Sequence, residues 1–352
     1  SDVYKRQALM APTGRAAKRL AISSGRDADT IHKALEASVR ETGRTYFERN
    51  EANPLEEDLI IVDEASMLDI SLFYHLLCAL KDGARLILVG DIDQLPPVGA
   101  GEPLKDLMSW GYVPIVRLKR IFRQEEGSGI VENAALIRKG EMCVPDEAGE
   151  FRIVYAADDE DAYRIVMDLC RELNYGNEEN KMLLQVLSPM YRGVCGVDHL
   201  NESLQEMIHG EKVPDGMKFF PGDKVMQTRN DYEKGIYNGD VGTVWTATPQ
   251  KVFVRYFDKE VVYEGEERLD LRLAYAGTVH KSQGSEYETV IFILRPSQHN
   301  MLQRNLLYTG VTRARKNTIL VTAPDALRRA LAIQHTGNRY SLFLPFLNHE
   351  AL

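Results

Sequence analysis

Leu59-Ile-Ile-Val-Asp-Glu-Ala-Ser-Met67 is an apolar run that ends in two adjacent carboxylates, Asp63 and Glu64. At a strand tip such a pair suits phosphoryl transfer. One carboxylate holds Mg²⁺ through water, and its neighbour orients or deprotonates the attacking water. An isolated Asp-Glu pair is more often a plain strand end, so its company decides. Gly90-Asp-Ile-Asp-Gln-Leu-Pro-Pro-Val98 follows a second apolar run, and there Gln94 is placed to contact a terminal phosphate or the attacking water. Leu118-Lys-Arg-Ile-Phe-Arg-Gln124 offers Arg123 as a planar cation for a phosphate. Gly277-Thr-Val-His-Lys-Ser-Gln-Gly-Ser-Glu286 is a polar, glycine-flanked loop, and Tyr308-Thr-Gly-Val-Thr-Arg-Ala-Arg315 sets Arg313 and Arg315 before another apolar run.

The elements that must position these residues alternate in type. Leu59 to Val62 and Leu86 to Val89 suit buried parallel strands, and Ser71 to Leu80 between them has helical spacing closed by Gly83. The rhythm recurs at Leu183 to Leu187, Val290 to Leu294 and Thr318 to Val321, which predicts an α/β fold. From Phe219 to Leu273 the chain changes character. Pro221-Gly222-Asp223 and Asn238-Gly239-Asp240 punctuate short β-rich runs, and Asn-Gly between extended segments predicts a hairpin. That stretch reads as a small β-barrel inserted in the second α/β domain. The acidic segment Glu147 to Asp161 reads as a hinge between the two α/β domains.

Composition sets looser bounds. The 352 residues allow two or three domains, each with its own core. A net charge of −9 argues against coating nucleic acid by bulk attraction, yet leaves room for a motor that grips DNA in a local groove. No apolar run reaches membrane-spanning length and the first residues carry no secretory pattern, so the expected location is the cytoplasm. Cys78, Cys143, Cys170 and Cys195 are widely spaced, which speaks against structural zinc and a disulfide framework.

The five segments, in this order, resemble motifs II to VI of superfamily-one helicases. Gly-Asp-x-x-Gln-Leu-Pro-Pro-Val and Thr-Val-His-Lys-Ser-Gln-Gly-Ser-Glu are similar to the subgroup with 5′-to-3′ polarity, the exodeoxyribonuclease V α-subunit and its stand-alone RecD-like relatives. Ala11-Pro-Thr-Gly-Arg-Ala-Ala-Lys-Arg19 resembles their motif Ia, and Thr30-Ile-His32 the segment after it. The similarity runs from about Ala8 to Thr322. It implies two RecA-like parallel-sheet domains, the first incomplete, with an SH3-like barrel inserted in the second. The implied boundaries are 1–146 for the first domain, 147–218 and 274–352 for the second, and 219–273 for the barrel.

The same resemblance implies an ATP-dependent DNA helicase or translocase of recombination and repair, with Mg²⁺ as cofactor. Its partners would be single-stranded DNA, duplex junctions and recombination-complex subunits. Carried over, Asp63 is the Mg²⁺ ligand, Glu64 the base and Gln94 the phosphate sensor. Arg123 and Arg313 stabilise transferring charge, and Glu286 lies near the nucleotide sugar. Pro12, Thr13, Arg15, Thr30, His32, His280 and Lys281 would touch the single strand, while Lys18 and Arg19 are left unassigned. The segment from Glu36 to Pro54 sits where relatives insert a strand-separating pin.

The chain departs from the pattern in one respect: the Gly-x-x-Gly-x-Gly-Lys-Thr phosphate loop expected ahead of Ala11 is absent. The expectation is a truncated reading frame that by itself hydrolyses little ATP. The alternatives are an ATPase-dead single-strand-binding module and the helicase half of a conjugative relaxase.

Overall fold

The apolar runs Leu59 to Val62 and Leu86 to Val89, closed by Asp63 and by Gly90, become neighbouring strands of a parallel sheet, and the runs at Leu183 to Leu187, Val290 to Leu294 and Thr318 to Val321 enter a second one. The protein's structure is a computed structural model and describes residues 6–39, 45–118, 127–231, 233–257, 259–334 and 343–348. The chain divides into two compact units, Ser1–Lys119 with Gly337–Leu352, and Arg120–Thr336.

The first unit runs β1 (Gln7–Ala11), α1 (Gly14–Ser24), β2 (Asp29–Thr30), α2 (Ile31–Ala34), β3 (Ala37–Val39), β4 (Thr45–Phe47), β5 (Leu59–Val62), α3 (Ile70–Cys78), β6 (Arg85–Leu88) and α4 (Pro103–Trp110). Its main sheet has the order β2-β1-β5-β6 and is parallel at every pairing. The carboxyl ends of all four strands therefore share one edge. Met10, Ile31, Ile60, Val62, Phe73 and Leu76 form its core, each of the large side chains contributing about 1.5–3 kcal/mol by leaving water. The separate hairpin β3-β4 places Phe47 in this core against His75, ring centroids 4.5 Å apart. Phe47 is therefore buried, and of the segment Glu36 to Pro54, residues 40–44 lie outside the described residues. β6 departs from the buried strand expected. Ile87 is 46% exposed because, among the described residues, only β5 pairs with β6.

The second unit runs α5 (Gly129–Lys139), β7 (Phe151–Tyr155), α6 (Asp159–Glu172), α7 (Glu178–Leu183), β8 (Leu184–Ser188), α8 (Val197–His209), β9 (Lys224–Gln227), β10 (Val241–Ala247), β11 (Lys251–Arg255), β12 (Glu260–Glu264), β13 (Leu271–Leu273), β14 (Ala276–Thr278), β15 (Tyr287–Leu294), α9 (Arg304–Val311), β16 (Ala314–Thr322) and α10 (Pro324–Ala332). Its parallel sheet has the order β14-β8-β15-β16-β7. The antiparallel sheet β12-β11-β10-β9-β13 is the expected small insert, with Val225, Val244, Val254 and Leu271 inside. Buried polar groups anchor it. Lys224 Nζ donates to Leu184 O and to Gln185 Oε1, both at 3.0 Å, while Asp223 accepts from Gln205 and from the Tyr275 hydroxyl.

Three boundaries differ from those read in the sequence. The acidic segment expected as a hinge contains β7, whose Phe151 is buried and pairs with Thr318 of β16. The units divide at 119/120 rather than 146/147, because α5 packs on α9 and β16 within the second unit. The last helix, α11 (Phe343–Leu347), belongs to the first unit. There Trp110 Nε1 donates to Leu347 O at 3.1 Å, and the rings of Phe343 and Phe73 meet edge to face. Asn238-Gly239 also does not join adjacent strands directly. It forms a turn, closed by Asp240 N donating to Tyr237 O, at the end of the longer β9–β10 connection. Among the described residues no helix is long and apolar enough to cross a membrane.

Candidate functional site

Every described candidate residue of the first unit lies at the carboxyl end of one of its parallel strands or on the segment that follows. After β1, Thr13 caps α1, its Oγ1 accepting from Ala16 N at 3.2 Å, and Pro12 and Arg15 flank it half-buried. The capping hydroxyl keeps its own proton to donate. At the end of β2, Thr30 is buried and caps α2 in the same way, accepting from Lys33 N at 3.1 Å. His32 sits near the Phe47 ring, centroids 6.0 Å apart. Burial lowers its pKa from the ordinary imidazole value, and the charge of Asp69 opposes that shift only in part.

After β5 come the two carboxylates. Asp63 is half-buried, and its Oδ1 accepts from Glu64 N at 2.9 Å. Glu64 is 7% exposed and adopts a left-handed backbone, φ 52° and ψ 36°. Such a conformation is uncommon outside glycine and concentrates where surrounding structure fixes a functional side chain. Its Oε1 lies 3.3 Å from Arg19 Nη2 on α1. After β6, Gly90 packs so closely that an added Cβ would stand 2.8 Å from Ser66 N, which draws this tip against the one bearing Glu64. Gln94 Nε2 points to Asp91, 3.5 Å away, and its Oε1 is buried without a hydrogen-bond partner, as is Ser66 Oγ. Both residues line a cavity of about 20 Å³, roomy enough for about one water molecule. Arg123 lies outside the described residues.

The second unit splits its candidates between two edges of its sheet. His280 and Lys281 follow β14 at the carboxyl edge, where Lys281 Nζ donates to Asn238 Oδ1 of the insert at 2.9 Å. Burial first, and then the charge of Arg272, lowers the pKa of Lys281. Glu286 and Arg313 stand at the amino edge, one residue before β15 and β16. Arg313 is 2% exposed and donates to Thr309 O and Ser285 O, each at 3.2 Å. The Glu286 side chain, 4% exposed, receives Arg315.

The pairings of Arg19 with Glu64 and of Arg315 with Glu286, and the orphan Ser66 hydroxyl, were not foreseen from sequence. The spacing of Arg15 and Arg19, one helical turn apart, puts both on one helix side but carries no signal of Glu64 as the partner.

The donor set suits Mg²⁺ with a nucleotide. Among the described residues no group of three or more His, Cys, Asp or Glu side chains could hold a metal alone. Mg²⁺ at phosphoryl-transfer sites takes one or two carboxylates and fills its sphere with phosphate and water, for which a half-buried Asp63 suffices.

Three family models match parts of the chain: an AAA domain over residues 1–100, the SH3 domain of ATP-dependent RecD-like DNA helicases over 200–256, and a UvrD-like helicase C-terminal domain over 273–321. The ATP-dependent RecD2 DNA helicase of Deinococcus radiodurans is 38% identical over 95% of this chain, which covers 45% of that protein. The RecBCD enzyme subunit RecD of Mycolicibacterium smegmatis is 32% identical over 96% of this chain, covering 66% of the relative. The chain thus spans about half to two thirds of the length of these relatives. In fold it resembles the Pif1 helicase from Bacteroides crystallised with ADP-AlF3 and ssDNA, with a TM-score of 0.56 and 21% identity over 98% of this chain and 87% of the other. The Pif1 helicase from Candida albicans gives 0.55 at 19% identity, over 99% and 90%. The parallel-sheet units, the RecD-type SH3 insert and identity sustained along nearly the whole chain place this protein in the RecD-like family of DNA helicases.

Proposed function

We propose that the chain forms the motor core of an ATP-dependent helicase or translocase that moves 5′ to 3′ on single-stranded DNA. The observation that carries this reading is the shared edge of β2-β1-β5-β6. Parallel α/β sheets bind ligands beyond the carboxyl ends of their strands, and here the strand-contact candidates lie at or just after the ends of β1 and β2 while the phosphate-chemistry candidates follow β5 and β6. The polarity rests on the spelling of the Gly90–Val98 and Thr278–Glu286 segments.

In this reading Asp63 would hold Mg²⁺, which when bound neutralises phosphate charge. Glu64 takes the proton of the attacking water, and its fixed backbone leaves only its side-chain rotamer to adjust. Gln94 presents its carboxamide to the terminal phosphate. Arg313, already held by two backbone carbonyls, and Arg123 supply cations for developing charge. Glu286 faces the ribose. Pro12, Thr13, Arg15, His280 and Lys281 hold the strand mainly through its phosphates, with Thr30 and His32 behind them. The partners would be single-stranded DNA, duplex junctions and recombination-complex subunits.

The 352 residues hold no Gly-x-x-Gly-x-Gly-Lys-Thr segment. Alone, they should therefore turn over Mg·ATP far below the roughly 1–100 s⁻¹ of kinase-type phosphoryl transfer. Single-strand binding should persist. Fluorescence anisotropy with a labelled oligothymidylate should show an affinity that falls steeply with salt and falls further in His280→Ala and Lys281→Ala. Binding indifferent to salt and to both substitutions would overturn the assignment of this surface.

A further inference from the structure

Helix α1 begins just after the turn Pro12–Thr13 and carries Arg15 and Arg19 one turn apart, on the same side. Its opposite side is small: Ala16 and Ala17 are buried against Ala11, so the helix axis lies close to the sheet. That closeness lets Arg19 reach Glu64, whose carboxylate lies 3.3 Å from its guanidinium; the two side chains are 28% and 9% exposed. The Glu64 backbone is pinned on both sides. Its N–H donates to Asp63 Oδ1, and Ala65 N donates to Val89 O. Arg19 is therefore a direct bias on the remaining freedom of Glu64, its side-chain rotamer.

We propose that Arg19 is a positioning residue shared between Glu64 and a phosphate of the bound single strand, so that DNA at α1 sets where the Glu64 carboxylate points. The proposal rests on the reading of this edge as a DNA-stimulated nucleotide site. A guanidinium offers several donors in a planar fork, so it can turn from a carboxylate to a phosphate without losing its charge-assisted bonds. A strand held at Arg15 brings its next phosphates along the same helix face. Arg19 then moves towards the backbone of the strand and leaves Glu64 to face the attacking water. Without DNA it returns to Glu64 and holds it. In this way occupancy of the strand site reaches the proton-accepting carboxylate through a single side chain.

The test needs no turnover and uses the whole chain. Oligothymidylate affinity is measured by anisotropy for wild type, Glu64→Gln, Arg19→Met, Arg19→Lys and the Glu64→Gln/Arg19→Met pair. Glu64→Gln removes the competing charge, so binding should tighten roughly twofold to fivefold, the scale of a partly exposed ion pair. That gain should vanish with methionine at position 19 and survive with lysine. Arg19→Met should also flatten the salt dependence by roughly 0.7 in logarithmic slope, one phosphate contact on a single strand. A merely structural Arg19 would not reproduce this pattern of sign. The proposal fails if Glu64→Gln leaves affinity unchanged or weaker, or if its gain persists beside Arg19→Met. Absence of any strand binding by the wild-type chain is a separate result, and it would sink the helicase reading itself.

Discussion

Glu286 places a single oxygen, Oε2, against both Nε and Nη2 of Arg315, each 2.8 Å away. The two residues lie at the amino ends of neighbouring parallel strands, so the ion pair staples β15 to β16 where Arg313 also stands. Removing the arginine leaves an almost fully buried carboxylate without this partner. Arg315→Ala should cost about 1–2 kcal/mol, less than a fully buried pair because Arg315 is itself largely exposed. Adding Glu286→Gln should recover most of the loss. Urea unfolding of the two variants decides it, and equal midpoints for wild type and Arg315→Ala would remove the staple.

Gly90 is fixed by its surroundings. An added methyl would press on Ser66 N, Ala65 N and the Leu104 side chain, all within 3.1 Å. Gly90→Ala should destabilise the first unit by about 1–3 kcal/mol, the usual range for overpacking. It should also separate the segment bearing Gln94 from the one bearing Glu64. A variant melting within a degree of wild type would show that the close approach is relaxed in solution.

Lys224 is 1% exposed and satisfies two acceptors on the adjoining sheet, Leu184 O and Gln185 Oε1. Lys224→Met keeps the apolar stem and strands both acceptors, a loss of about 1–3 kcal/mol. Because the bond ties the insert to the parallel sheet, the variant should unfold the insert first. Hydrogen exchange of β10 and β11 should then rise ahead of that of β15. Exchange that rises together in both places would argue against the anchor.

Much of this was legible in the sequence, and the failures have physical causes. β5 ends at Val62 because the apolar run stops at Asp63, while β15 and β16 stop immediately before an X-Pro pair, Arg295-Pro296 and Ala323-Pro324. β7 was hidden because its alternating Phe-Arg-Ile-Val-Tyr lies between acidic flanks that dominated the reading. Asp223 looked like turn punctuation beside Pro221 and Gly222, yet it is fully buried, accepting hydrogen bonds that only the folded α8 and Tyr275 supply. Periodicity likewise assigns Arg19 to a helix side. It cannot say that Glu64, 45 positions away, is what that side meets.

His32 gives a pH signature. Its pKa is lowered on folding, so the unfolded chain takes up the proton first as pH falls below about 6.5. The stability tied to its neutral form is complete above that value and is lost as pH drops through the lowered pKa. Wild type should therefore lose more Tm than His32→Phe between pH 7.5 and pH 5.5. Parallel losses in the two proteins would clear His32 of any role.

The half-exposed strand β6 has a consequence for handling the protein. Arg85 stands at its start, but Ile87 and Val89 lie bare along an edge that, among the described residues, only β5 pairs. An apolar strand edge is a template for intermolecular pairing, and natural proteins blunt such edges with charge. In concentrated solution these molecules should self-associate edge to edge, with sedimentation coefficients that climb with concentration. Ile87→Lys should suppress that climb while leaving the parallel sheet behind it intact.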